Sequence, residues 1–113
     1  MLTVYHNPRC RKSRETLALI EEAKAPVTIV EYLKEVPTAD ELAGLLDKLG
    51  LEAKDILRKG EAIFKEQFKG KEHSNVEWIQ IMVDNPKLIE RPIVVKGDQA
   101  VIGRPPENVK SLL

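Results

Sequence analysis

The sequence contains one cysteine, two histidines and few aromatic residues, which make up 4% of its 113 residues. A single cysteine excludes an internal disulfide and a metal site built from cysteines alone. The spacing of His6 and His73 does not match that of zinc ligands. We therefore expect no bound metal.

The sequence also lacks long apolar runs and an excess of either charge. No apolar run approaches the roughly 20 residues that span a bilayer, so no membrane contact is expected. Formal net charge is +0, from 18 basic and 18 acidic residues, which offers no global attraction to nucleic acid. The first residues lack a secretory pattern, and one unpaired thiol suits a reducing compartment. The sequence therefore predicts a cytoplasmic protein whose affinity for anions comes from local charge.

The first thirty or so residues predict a βαβ unit. Residues 2–5 have the pattern of a strand, and apolar residues within 11–24 follow a helical spacing. Residues 27–30 are β-branched throughout and predict a second strand, buried on both faces. Strands joined in this way pair in parallel.

The middle of the sequence is helical, and the end returns to strands. Thr38 and Glu41 form a capping box before a helix that ends at Gly50, and Ser74 or Asn75 begins another. A hairpin then joins the strands at 93–95 and 100–102, and a final helix follows Gly103-Arg104-Pro105-Pro106. This order predicts a single α/β domain over residues 1–113, thioredoxin-like with a mixed four-stranded sheet and a helical insert at about 38–90.

Cys10 lies between the first strand and the first helix, in the stretch His6-Asn7-Pro8-Arg9-Cys10-Arg11-Lys12-Ser13-Arg14. A lone cysteine is more often a small buried hydrophobic residue. Here the backbone N–H groups of a helix start and the flanking cations favour a thiolate and an adjacent oxyanion. Cys10 is therefore predicted to be the nucleophile, and another molecule must resolve any disulfide that it forms.

Three arginines are candidates for binding an anion beside Cys10. Arg91 and Arg104 each precede a proline, at the sheet edge where this topology places the cysteine loop. Arg58 follows a helical turn. An isolated arginine is usually a solvated charge, but a guanidinium donates two hydrogen bonds to an oxyanion at once.

Supporting roles are predicted for His6, Ser13 and Pro92. His6 either lowers the thiol pKa as an imidazolium or only hydrogen-bonds the loop. Ser13 either donates to the thiolate or anion, or caps the helix. Pro92 precedes the third strand and is placed opposite Cys10, where a cis peptide bond is common in this topology.

Residues 6–17 resemble the signature of the glutaredoxin-linked arsenate reductase family, ArsC, which also contains Spx-type and YffB-type proteins. The resemblance covers essentially the whole chain. It continues through residues 32–34, 38–42, 57–59, 90–95 and 101–106.

The resemblance implies a particular reaction. The Cys10 thiolate attacks arsenate held by Arg58, Arg91 and Arg104, glutathione attacks the adduct, and a glutaredoxin resolves the mixed disulfide as arsenite leaves. It implies arsenate or a similar oxyanion, glutathione and glutaredoxin as reaction partners, with no bound cofactor or metal.

The sequence departs from the family pattern in two places, and alternatives stay open. Arg11 stands where many members have a small residue, and the loop before Trp78 is more basic than usual. One alternative is a YffB-type, glutathione-dependent thiol/disulfide reductase. Another is a non-catalytic, Spx-like regulator that binds RNA polymerase, although Ser13 replaces the second cysteine common in that branch.

Overall fold

The computed structural model describes all 113 residues, Met1–Leu113, with one four-stranded sheet. Its strands are β1 (Leu2–His6), β2 (Val27–Glu31), β3 (Ile93–Lys96) and β4 (Gln99–Ile102). Its α-helices are α1 (Arg11–Glu22), α2 (Ala39–Leu49), α3 (Ala62–Gln67) and α4 (Asn75–Asp84). Short 3-10 helices cover Ala53–Ile56, Pro86–Leu88 and Pro106–Leu112. The prediction of an α/β thioredoxin-like fold is confirmed.

The sheet is mixed and has the strand order β2-β1-β3-β4. Strand β1 pairs in parallel with β2, and antiparallel with β3, where Tyr5 lies opposite Ile93. Strand β4 pairs antiparallel with β3, where Ile102 also lies opposite Ile93. The end of β1, the start of β3 and the end of β4 therefore meet at one edge of the sheet. This edge carries the loop that contains Cys10.

The prediction that β2 is buried on both faces is wrong. Thr28 and Ile29 are exposed, and Ile29 keeps 44% of its accessible surface. The exposure follows from the position of β2 in the sheet, because β2 is an edge strand with a neighbouring strand on one side only. A β-branched run favours a strand wherever it packs, so it does not by itself report burial.

The chain divides into two compact units, of which the sheet unit comprises Met1–Glu35 and Arg91–Leu113. Helix α1 and the 3-10 helix Pro106–Leu112 pack against each other and against the strands. Together they bury a core of Leu2, Val4, Ile20, Val94, Val109 and Leu112.

The second, helical unit comprises Val36–Glu90. The Thr38 hydroxyl accepts from the Glu41 N–H at 3.1 Å, the Glu41 carboxylate accepts from the Thr38 N–H at 3.2 Å, and α2 ends at Gly50 with φ +69°. Ser74 and Glu77 form the same reciprocal pair at the start of α4. These observations confirm the predicted caps. The Thr38 and Ser74 side chains each accept from a backbone N–H group that has no partner within the helix.

Helices α2 and α4 pack together, and α4 also packs on both 3-10 helices of the helical unit. The side chains that close this core are fully or almost fully buried: Leu42, Leu46, Ile56, Met82 and Leu88. The description of the chain as one domain with an insert at about 38–90 stays a prediction. No helix has the length and apolar character required to cross a membrane.

Candidate active site

Cys10 sits in a tight turn that connects β1 to α1. Its N–H donates to the Asn7 carbonyl at 2.9 Å, and the Asn7 side-chain oxygen accepts from the Arg9 N–H at 3.0 Å. Cys10 is the N-cap residue of α1, and its carbonyl accepts from the Arg14 N–H at 3.0 Å. The thiol is 8% exposed. It therefore lies at the start of a helix, as predicted, where the first-turn N–H groups have no partner within the helix.

Opposing influences act on the pKa of the Cys10 thiol. Burial raises it, but a hydrogen bond from the Ser13 backbone N–H lowers it, as do the hydrogen bond and charge of Arg91 and the charge of Arg104. The net result is that the pKa lies below that of an ordinary cysteine. The site thus stabilises a thiolate, which is the reactive form of cysteine.

Arg91 and Arg104 approach Cys10 from the two strands next to its loop. The Arg104 Nη2 lies 3.5 Å from Cys10 Sγ, and its Nε donates to the Arg91 carbonyl at 2.9 Å. Arg91 precedes β3 and Arg104 follows β4, so the sheet register delivers both to the same edge. The structure therefore brings together three of the predicted residues, Cys10, Arg91 and Arg104.

The cations next to Cys10 in sequence are directed elsewhere. Arg11 is 85% exposed and pairs with Glu15 at 2.9 Å, and Arg14 donates to the Pro8 carbonyl at 3.0 Å. Neither contributes to the lowered pKa of Cys10. The expectation that flanking cations activate the thiol is wrong for these two, because the Arg11 guanidinium is held by Glu15 and the Arg14 guanidinium by the Pro8 carbonyl.

His6 and Ser13 form a buried pair beneath the cysteine loop. His6 Nδ1 lies 2.6 Å from Ser13 Oγ, which also accepts from the Asn7 N–H at 3.1 Å. Burial lowers the pKa of His6, with Arg14 acting in the same direction and Glu31 opposing it. A neutral imidazole that orders the loop, rather than an imidazolium, is the role that this geometry favours. The Ser13 backbone N–H donates a hydrogen bond to the Cys10 sulfur, whereas the Ser13 hydroxyl forms a hydrogen bond with His6.

Pro92 is fully buried, and the Arg91–Pro92 peptide bond is cis. Its carbonyl accepts from the Gly103 N–H at 3.0 Å, which ties the start of β3 to the residue after β4. The Arg104–Pro105 bond is cis as well. Each of the two arginines beside Cys10 is therefore joined to the following proline by a cis peptide bond.

Sequence reasoning missed Thr16 and Gly103, which pack against this arrangement. Thr16 is fully buried and its hydroxyl donates to the Lys12 carbonyl at 2.9 Å. A Cβ atom on Gly103 would overlap Thr16 Oγ1 and lie 2.7 Å from Pro92 Cγ. The available signal was a glycine directly before Arg104-Pro105, where close approach of the backbone requires the absence of a side chain.

Arg58 belongs to the helical unit, where it pairs with two carboxylates. Its Nη1 lies 2.7 Å from Glu90 Oε1, and its Nε lies 3.3 Å from Glu61 Oε2. Its backbone N–H donates to the Leu88 carbonyl at 2.8 Å. Its predicted contact with an anion stays a prediction.

The site has no set of side chains suited to a metal ion, since no group of three or more histidine, cysteine, aspartate or glutamate residues comes together in the chain. The chemistry that its geometry offers is that of one thiolate with cationic and N–H donors beside it. Fold and site together define a thioredoxin-like protein with a single activated thiol at the end of its first strand.

The chain belongs to the ArsC family, whose model matches residues 5–112. It is 46% identical to the uncharacterized protein YfgD of Escherichia coli, over 97% of this chain and 94% of that protein. It is 37% identical to an arsenate reductase of Neisseria meningitidis, over 99% of this chain and 97% of that protein. A solved structure, the arsenate reductase from Vibrio cholerae, matches with a TM-score of 0.94 and 44% identity, over 99% of this chain and 97% of the other.

Proposed function

We propose that the protein is an arsenate reductase that depends on glutathione and glutaredoxin, with Cys10 as its nucleophile. The observation that carries the proposal is the convergence of the Ser13 N–H, Arg91 and Arg104 on the Cys10 sulfur. These groups stabilise a thiolate before attack and offer donors to an oxyanion that binds next to it. Family membership supports the same reaction, because relatives of similar length are named arsenate reductases.

The proposed cycle begins when the Cys10 thiolate attacks the arsenic of arsenate and displaces one oxygen as water after protonation. Glutathione then adds its thiol to this adduct. An S–S bond forms between Cys10 and glutathione as the bond between sulfur and arsenic breaks. Arsenic keeps the electron pair and leaves as arsenite, and Cys10 is left in a mixed disulfide with glutathione. A glutaredoxin reduces this disulfide by thiol–disulfide exchange. An external thiol is required, because Cys10 is the only cysteine in the chain.

Arginines supply the anion contacts in this proposal. Arg91 and Arg104 bind the oxygens that carry developing charge during attack. Arg58 is the third predicted ligand. To bind an anion, its guanidinium must release at least one of its two carboxylate partners, Glu61 or Glu90. We therefore expect Arg58→Ala to raise the KM for arsenate more than it lowers kcat.

The experiment is an assay of arsenite production by the purified protein with arsenate, glutathione and a glutaredoxin. Production should occur with the native chain and disappear in Cys10→Ser. Ser111→Ala, which changes an exposed serine of the C-terminal 3-10 helix, is the matched control and should remain active. Absence of arsenite, or full activity in Cys10→Ser, contradicts the proposal.

A second candidate is a glutathione-dependent thiol/disulfide reductase that uses the same thiolate. The pairing of Arg58 with two carboxylates favours it, because that cation is already neutralised before any substrate binds. Turnover of a glutathionylated peptide in the absence of arsenate would support this candidate, as would a failure of arsenate to protect Cys10 from alkylation.

An Spx-like role would instead require that RNA polymerase is recovered with the protein. The lowered pKa of the Cys10 thiol does not favour a purely structural role for this residue.

A further inference from the structure

The helical unit contains a basic cavity that shares no residue with the Cys10 site. Its volume is about 830 Å³, which is within the range of small-molecule binding sites. It is formed by the 3-10 helix Ala53–Ile56, helix α3, and the loop between α3 and α4. Five lysines line it: Lys54, Lys59, Lys65, Lys69 and Lys71.

Charge is distributed unevenly between this cavity and the rest of the chain. The whole sequence has a net charge of +0, yet the cavity lining contains five lysines and one acidic residue, Glu72. All five lysines are exposed, so their ammonium groups keep most of their hydration and are available to a ligand. Such a cluster raises the local concentration of anions, and lysine is a common phosphate ligand.

The inner wall of the cavity is aromatic and well packed. Phe64 and Trp78 line it and are 8% and 7% exposed, with ring centroids 6.3 Å apart. His73 packs edge-on against Trp78 with centroids 4.8 Å apart. Phe68 and His73, which flank Lys69 and Lys71, both contact the Trp78 ring, so the basic loop is joined to α4 at its two ends.

We propose that this lysine-lined cavity of the helical unit binds a small polyphosphate anion, such as the phosphate chain of a nucleoside di- or triphosphate. A single phosphate contacts only two or three of five lysines spread around such a volume, whereas a chain of phosphates pairs with most of them. A single-stranded nucleic acid fits less well, because it requires exposed aromatic faces on which bases stack. Both wall aromatics are buried. The proposal is independent of the reductase activity, because the cavity lies wholly within Val36–Glu90.

Trp78 provides a direct probe of the cavity, because it is the only tryptophan in the chain and forms part of the wall. Its fluorescence is followed while inorganic tripolyphosphate is added at constant ionic strength, with orthophosphate and a ten-nucleotide single-stranded RNA as the other ligands. We expect a saturable change with a Kd below about 1 mM for tripolyphosphate and weaker binding of the other two. Cys10→Ser should bind equally well, so failure of the reductase assay leaves this result unaffected.

The decisive variant is Lys65→Glu/Lys69→Glu, compared with Lys48→Glu/Lys87→Glu, which makes the same change of charge in the same unit outside the cavity lining. The first should weaken tripolyphosphate binding by about tenfold or more and the second by less than about twofold. Lys65→Gln/Lys69→Gln replaces the first if circular dichroism shows that it is unfolded. No saturation, equal losses in both variants, or tighter binding of the RNA overturns the proposal.

Discussion

The side chains that stabilise a thiolate at Cys10 come from the opposite end of the chain. Arg91 and Arg104 act directly, and the Arg104 guanidinium connects the sulfur to the Arg91 carbonyl. Hydrogen bonds from charged donors are among the stronger ones in proteins, so removal of either arginine should raise the pKa of the Cys10 thiol. Arg11, although adjacent in sequence, is turned into solvent.

We predict that Arg104→Gln raises the pKa of Cys10, whereas Arg11→Gln leaves it nearly unchanged. The reason is that Arg104 favours the charged form of the thiol and Arg11 does not contribute. The rate of alkylation by iodoacetamide between pH 5 and 9 measures the pKa. The native midpoint should lie below the value of about 8.5 for a free cysteine. An equal shift in both variants would show that charge acts non-specifically at this site.

A second prediction at this scale concerns the hydroxyl of Ser13. In Ser13→Ala the buried His6 Nδ1 and the Asn7 N–H both lose their partner, which should reduce the free energy of unfolding by about 1–3 kcal/mol. Urea denaturation measures the loss. Ser111→Ala removes an exposed hydroxyl that contacts the Asn108 carbonyl, so it should change stability by less than about 0.5 kcal/mol. Similar losses in the two variants would contradict the role assigned to the buried pair.

At the scale of elements, the site exists because three strand ends meet at one edge of the sheet. Helix α1 lies close to the end of β4, since Thr16 packs against Gly103 without space for a Cβ atom. The Thr16 hydroxyl is also 3.4 Å from the Gly103 carbonyl. The position of Arg104 therefore depends on a contact that involves no charged group.

We predict opposite effects of glycine-to-alanine changes at two positions. Gly103→Ala should destabilise the protein by about 1–3 kcal/mol, because its Cβ overlaps Thr16 and Pro92. Gly44→Ala lies inside α2 with no atom within 4 Å of the new Cβ, and should stabilise by about 1 kcal/mol. Thermal unfolding of both variants measures the effects. Destabilisation by Gly44→Ala, or a neutral Gly103→Ala, would contradict this account.

Much of the element order follows from local sequence signals. The capping boxes at Thr38 and Ser74 and the left-handed residue Gly50 mark helix limits through hydrogen bonds that span only a few residues. Such signals are readable without tertiary structure. The exposure of Ile29 was not readable, because it depends on which strand lies at the edge, and that is set by pairing across the whole sheet.

The candidate site divides in the same way. The position of Cys10 at the start of a helix, and of the two proline-adjacent arginines on the same side of the sheet, was predicted from motifs and topology. The directions of Arg11 and Arg14 and the contact of Thr16 with Gly103 were not, because side-chain direction and close packing depend on three-dimensional neighbours. The basic loop before Trp78 was visible in the sequence, but the cavity that it lines was not.

At the scale of the whole molecule, burial of His6 couples stability to pH. The folded state lowers the pKa of His6, so at mildly acidic pH the unfolded state binds more protons than the folded state. This contribution to stability is fully present above the unfolded pKa of about 6.5 and is lost as pH falls through the lower, folded pKa.

We therefore predict that the free energy of unfolding falls between pH 7 and 5, and that His6→Asn flattens this dependence. Asparagine cannot be protonated in this range, so the difference in proton binding disappears. Urea denaturation at several pH values measures the slope. Gln67→Asn, a change at an exposed position that carries no titratable group, is the control and should keep the native slope. An unchanged slope in His6→Asn would contradict the assignment.

The discontinuity of the sheet unit has a consequence during protein synthesis. Val36–Glu90 is continuous and is complete before β3 is translated, whereas β1 has no antiparallel neighbour until β3, whose Ile93 pairs with Tyr5, has been made. Until Arg91 and Arg104 have been translated, Cys10 lacks two of the groups that lower its pKa, so a smaller fraction of it is thiolate at neutral pH. The thiol therefore gains the full lowering of its pKa only when the sheet closes.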